Sequence, residues 1–204
     1  MSPALPYRKL TPTGAESLVS ANRHGYNLIY MDLAYPIGPC EYPELVSPQS
    51  RQGHIDEIAA APARFRDAVR GLNDAQLDTP YRPGGWTVRQ VVHHFADSHM
   101  NGYVRFRLAL TEDEPTIKPY DQTKWAELKD AVSEPVEISL QLIDNLHRRW
   151  AVLLNAMSDA DFARRLRHPE LGTVRLDTYL ASYGWHCRHH AAHIHNLRQR
   201  LGWN

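Results

Sequence analysis

Apolar residues recur at helical spacing in four separate stretches of the chain. The first covers residues 51 to 71, with Ile55, Ile58, Phe65, Val69 and the adjoining Leu72 as its stripe. The second opens at Trp86 or Thr87 and runs to Leu110, carrying Val88, Val91, Val92, Phe95, His99, Tyr103 and Phe106 on one face. The third spans Pro135 to Met157, with Ile138, Leu142, Ile143, Leu146, Trp150, Leu153 and Leu154. A proline suits its first turn, where the missing N–H has no partner in any case. The fourth runs from Leu176 to Leu201 and stops at Gly202. Between these stretches, Asp74 to Gly85 is broken by Pro80, Pro83 and a glycine pair and reads as a loop. Glu114 to Pro119 is a proline-bounded connection, with a short helix expected around Lys124 to Lys129. His168 to Val174 suggests a loop or short hairpin, and residues 35 to 50, rich in Pro and Gly, an extended arm. The pattern predicts an all-α four-helix bundle with short extra helices and an extended N-terminal arm.

The first 30 residues break the pattern, with Pro3, Pro6, Pro12 and no clean periodicity. Two readings fit them: a disordered extension, or a start of translation at Met31, which the intact mass of the native protein would separate. Residues 31–204 then form one domain, a size consistent with a sizeable core. With 23 basic and 23 acidic residues the net charge is zero, so nothing draws the chain to nucleic acid or an acidic membrane surface. There is no transmembrane-length apolar run and no secretory apolar region. Cys40 and Cys187 lie far apart with no CxxC spacing, which points to a reducing cytoplasm.

Histidine is the outlier, at 12 residues, five of them in the eleven from Trp185 to His195. His186 and His190 are i and i+4, one turn apart on a helix. On a helical wheel both fall on the side of Tyr179, Tyr183, Ile194, Leu197 and Leu201. His193 lies at the margin of that side, and His189 and His195 point away. Burying two unpaired imidazoles side by side is costly. That favours a shared divalent metal over two hydrogen-bonded core histidines or a surface chelating tract. Cys187, rotated about 100° from His186, reads as packing. A third ligand is available from His93 or His94, which flank the apolar stripe of the second helix equally, so periodicity does not choose between them. His99, in the middle of that stripe, reads as a buried structural histidine. Ser98, Asn101 and Arg105 continue the flank below His94 as a polar strip. HExxH, G-x-S-x-G, Walker and Rossmann motifs are absent.

The segments Gly85 to Asn101 and Tyr183 to Ile194, together with Gln76 to Arg82 and Lys118-Pro119-Tyr120-Asp121, resemble the DinB-like bundle superfamily. The resemblance is closest to its YfiT branch of metal-dependent hydrolases, and it runs from Met31 to Trp203. It implies a homodimeric four-helix bundle with one metal held by three histidines: His94 from the second helix, and His186 and His190 from the last. His193 then sits near the site without a ligand role. The function expected is a cytoplasmic hydrolase of a small molecule, with Zn²⁺ first and Ni²⁺ also suited to imidazole. The metal would activate water and polarise the scissile bond. Asp97, one turn from His94, is a candidate general base or a partner orienting a ligand imidazole, the second being favoured. Asn101 and Arg105 are candidates for substrate binding. Related bundles act as thiol-dependent S-transferases, and that is the rival reading. A non-catalytic metal-binding bundle is the third, although structural zinc is usually closed by four protein ligands, and three leave a position open.

Overall fold

Each periodic stretch forms a helix: α1 at Pro48–Val69, α3 at Val88–Thr111, α6 at Val136–Ala156 and α8 at Leu176–Leu201. The computed structural model describes residues 32–203, so the first 30 residues and the alternative start at Met31 lie outside the described residues. Cap chemistry sets the starts of α1 and α3. The Ser47 hydroxyl accepts from the Ser50 N–H ahead of Pro48. At α3, Thr87 and Gln90 cap each other reciprocally, which satisfies two otherwise orphaned N–H groups. Gly202, at φ 65°, ends α8 in the left-handed conformation that glycine adopts without strain.

Reciprocal caps also explain two helical turns that periodicity does not reveal. Asn73 with Gln76 nucleates α2 at Asp74–Leu77, inside the stretch expected to be all loop. Ser158 with Asp161 nucleates α7 at Asp159–Ala163. The single short helix expected around Lys124 is two, α4 at Gln122–Ala126 and α5 at Lys129–Ser133. The hairpin is real: β1 at Arg165–His168 pairs antiparallel with β2 at Gly172–Arg175, with Leu166 opposite Val174. Pro115 and Ile117 hydrogen-bond to Arg167 and so tie the α3–α4 connection to β1.

Among the four long helices, α1 packs mainly against α6 and α8, and α3 likewise against α6 and α8. The long helices that follow one another, α1 with α3 and α6 with α8, therefore lie diagonally across the bundle. Large rings fill the centre. Phe65 stacks on Phe95 at 3.9 Å, and Trp150 meets Phe106 and Tyr183 edge-on. Each such ring removes from water an area worth about 1.5–3 kcal/mol. On α6 the inward stripe is Leu140, Ile143, His147, Trp150 and Leu154. Ile138 and Leu142, expected in that stripe, are exposed; the expected set straddled two faces of the helix, and the fully periodic set is the buried one. No helix of the described residues is long and apolar enough to cross a membrane.

The arm from residue 32 to 47 lies along α8. Three of its carbonyls accept hydrogen bonds from that helix: Pro43 from Thr178 Oγ1 (2.7 Å), Gly38 from Trp185 Nε1 (3.2 Å) and Ala34 from His193 Nε2 (3.3 Å).

Two glycines mark close approaches to or by α8. A Cβ on Gly102 of α3 would collide with the Tyr183 ring, standing 2.7 Å from Cε1. A Cβ on Gly184 would stand 2.7 Å from His54 Nδ1 and 3.2 Å from His54 Cβ. The half-exposed His54 ring can turn aside, and the Cβ contact needs a shift of a few tenths of an ångström between α1 and α8. Overpacking against a buried ring costs about 1–3 kcal/mol, against about 1 kcal/mol gained from helix propensity. Urea unfolding should therefore show Gly102→Ala destabilised, and Gly184→Ala destabilised less.

Candidate metal centre

The phase of α3, fixed at Thr87, turns its two adjacent histidines to different neighbours. His93 faces α6: its Nδ1 lies 2.7 Å from Ser139 Oγ and its Nε2 3.1 Å from the Glu134 carbonyl. His94 faces α8, with its ring centroid 5.5 Å from that of His186 and 4.9 Å from that of His190. The tie that periodicity leaves open is thus resolved by packing, and His94 is the one brought to the α8 pair.

One ring nitrogen from each of His94, His186 and His190 lies within 4.8 Å of the others. His186 Nε2 and His190 Nε2 are 3.1 Å apart. His94 Nε2 is buried and has no hydrogen-bond partner among the described residues. An unpaired buried polar atom of this kind costs about 1–3 kcal/mol. A shared cation removes that cost, and two nitrogens 3.1 Å apart are compatible with bonds of about 2.0–2.1 Å to one zinc ion. Burial also keeps the rings neutral. It takes His94 down to about 3, with His193 adding to the shift. It holds His186 and His190 well below the usual histidine range, and neighbouring imidazoles add to the effect. Neutral imidazole is the form that binds metal. The donor set therefore fits a divalent ion with an affinity for nitrogen.

His99 is fully buried, and its Nε2 lies 3.1 Å from His186 Nδ1. It packs on Phe95 at 3.9 Å and is edge-on to Tyr183. The expectation of a buried structural histidine holds, but sequence reasoning missed its contact with His186. His94 and His99 are five residues apart and sit on different parts of the helix face, so spacing gives no hint of it. Trp86, packed at 4.5 Å on His94 and 6.4 Å from His190, was likewise not singled out.

Asp97 is half-buried, and burial together with nearby Asp130 pushes its carboxyl up to about 6. Its carboxylate makes no hydrogen bond to any of the three imidazoles among the described residues, so the orienting contact expected of it belongs to His99. Asn101 donates to the Asp97 carbonyl at 2.8 Å. It also lines a cleft of about 370 Å³ with Lys118, Pro119, Tyr120, Asp121 and Trp125. Arg105 is buried and engaged at both ends, donating to Tyr179 Oη (2.8 Å) and the Lys118 carbonyl (3.0 Å). It anchors the segment that forms the cleft wall.

His189, expected to point away, is buried. The wheel assumes one covered side, whereas α8 is also covered by the arm and by its own Trp185. His189 stacks on Trp185 at 4.1 Å and lies 6.1 Å from Tyr35. His193 is buried too and stacks on Tyr81 at 4.0 Å. His195 is exposed, as expected. Cys187 is fully buried, and burial pushes its thiol far up, consistent with packing.

A four-helix bundle with three imidazoles converging between its second and last long helices defines the class. Residues 57–194 match the model of the DinB superfamily, and the chain belongs to that superfamily. It is similar to a protein of Bacillus mycoides (strain KBAB4) named "Putative metal-dependent hydrolase", at 51% identity over 84% of this chain and 99% of that one. A Bacillus cereus (strain B4264) protein of the same descriptive name matches with the same identity and coverage. Among solved structures it is similar to YfiT from Bacillus subtilis, described as "a probable metal-dependent hydrolase with an unusual four-helix bundle topology". That match has a TM-score of 0.82 and 47% identity, covering 84% of this chain and 99% of the other.

Proposed function

We propose that the chain is a metal-dependent hydrolase of a small molecule, with His94, His186 and His190 holding one divalent ion. The observation that carries this reading is the buried, unpartnered His94 Nε2 aimed at an i, i+4 histidine pair. When bound, such an ion supplies Lewis acidity towards water and the scissile bond. The rest of the work falls to the chain. His99 faces His186 Nδ1 and so leaves Nε2 as the ligand atom. Trp86 covers the rings of His94 and His190 and keeps water from that side. Asp97, whose carboxyl burial and nearby Asp130 push up to about 6, is the group we assign as proton acceptor. Asn101, in the wall of the cleft formed with Lys118 to Asp121 and Trp125, is assigned to substrate binding. Zn²⁺ is the ion we favour, with Ni²⁺ next.

Elemental analysis of the purified protein tests the site. Metal is expected at or above one equivalent in the wild type, with the equivalent assigned to this site lost in His186→Ala at unchanged helical content; equal metal in both would refute the assignment. The metal-loaded enzyme should hydrolyse a member of an ester, amide or lactam panel. Substrate loss that requires an added thiol, with no turnover by water, would replace hydrolysis with S-transfer.

A further inference from the structure

A second set of histidines converges next to the first. His189, His190 and His193 are all buried, and each offers a ring nitrogen within 4.8 Å of those of the others. The Nδ1 atoms of all three are buried without a hydrogen-bond partner among the described residues. Buried polar atoms are nearly always paired, so three orphans in one place call for a common explanation. His189 and His193 are one turn apart on α8, with centroids 4.3 Å from each other, and His190 lies 5.0 and 5.4 Å from them.

The surroundings set the tautomer of His193. The Ala34 carbonyl, 3.3 Å from Nε2, can only accept. Nε2 therefore carries the hydrogen and Nδ1 presents a bare lone pair. The rings are also held in place. Tyr81 stacks on His193 and Trp185 on His189, and Trp185 is itself fixed by the Gly38 carbonyl. A preorganised set of neutral imidazoles suits Zn²⁺, Cu²⁺ or Ni²⁺.

We propose that His189, His190 and His193 form a second metal site that shares His190 with the first. His190 then turns Nε2 towards the first ion and Nδ1 towards the second, as a bridging imidazolate. As the second ion binds, the His190 Nδ1–H bond breaks, the proton leaves to solvent, and the nitrogen lone pair goes to the metal. The bridge rests on the His94/His186/His190 reading; the second site does not.

Native mass spectrometry of the full chain, loaded with Zn²⁺ and dialysed, tests this. Two ions per chain are expected in the wild type and one each in His193→Gln and His94→Ala. Glutamine keeps a donor for the Ala34 carbonyl, and His189→Gln serves as an independent variant. One ion in the wild type, kept in His193→Gln and lost in His94→Ala, overturns the second site and leaves the first standing. One ion lost in His193→Gln and kept in His94→Ala supports the second site and overturns the first. No ion in any form overturns both. If His193→Gln or His94→Ala does not fold, His189→Gln or His186→Ala takes its place in the same comparison.

Discussion

Acidification unfolds the protein, with an expected midpoint near pH 5. Burial takes His94 down to about 3, and both His147 and His193 to about 4. For His147 and His193, hydrogen bonds to the carbonyls of Ile58 and Ala34 only partly oppose the shift. These folded values lie below the ordinary histidine value of about 6.5, so the unfolded chain binds protons first. The stability from each neutral ring is fully present above about pH 6.5 and is lost as pH falls towards the folded value. Each group contributes a slope of about 1.4 kcal/mol per pH unit, and three together about 4. A domain of typical stability, about 5–15 kcal/mol, loses much of it within two units. His99, His186 and His190 are lowered as well and move the midpoint upward. Circular dichroism against pH checks this, and a cooperative fold persisting below pH 3 would contradict it. Added Zn²⁺ should shift the midpoint to lower pH, because protons and metal compete for the same lone pairs.

Phe95→Ala carries the largest expected cost of any single core truncation near the site. The ring is fully buried, stacks on Phe65 and packs at a tilt against His99, each at 3.9 Å. It also lies nearly parallel to His186, with centroids 5.8 Å apart. Removing a buried phenylalanine costs about 3–5 kcal/mol, including the cavity left behind. In a chain of this size that corresponds to a melting temperature lower by roughly 6–20 °C. Packing of His99 and His186 would slacken with it, so metal affinity should fall in the same variant. Calorimetry and metal titration read the two effects separately. A loss of stability with unchanged affinity would mean that other contacts hold His186 in place.

The bundle was legible in the sequence because its helices are long and one-sided, as in Phe65, Phe95 and Trp150. What escaped was set by short-range or three-dimensional chemistry. One-turn helices such as Asp74–Leu77 depend on a single reciprocal cap, which leaves no periodic trace. The α6 stripe drifted because Ile138 and Leu142 are apolar yet exposed. At the site, i, i+4 spacing singled out His186 and His190, while the choice of His94 over His93 needed either the family resemblance or the packing of α3. The burial of His189 depended on the arm, whose contacts with α8 run through backbone carbonyls that carry no side-chain signature.

α8 packs on α1, α3 and the arm, and it supplies two of the three histidines that meet at His94. It also leaves the ribosome after the other described helices. Synthesis proceeds at about 5–20 residues per second, so the earlier helices wait seconds for it with their inner faces exposed. During that interval His94 has no α8 imidazole beside it, and the Ala34, Gly38 and Pro43 carbonyls lack their α8 donors. A nascent chain arrested before Leu176 therefore leaves the inner faces of α1 and α3 uncovered, and the histidine cluster assembles only after translation has passed His190.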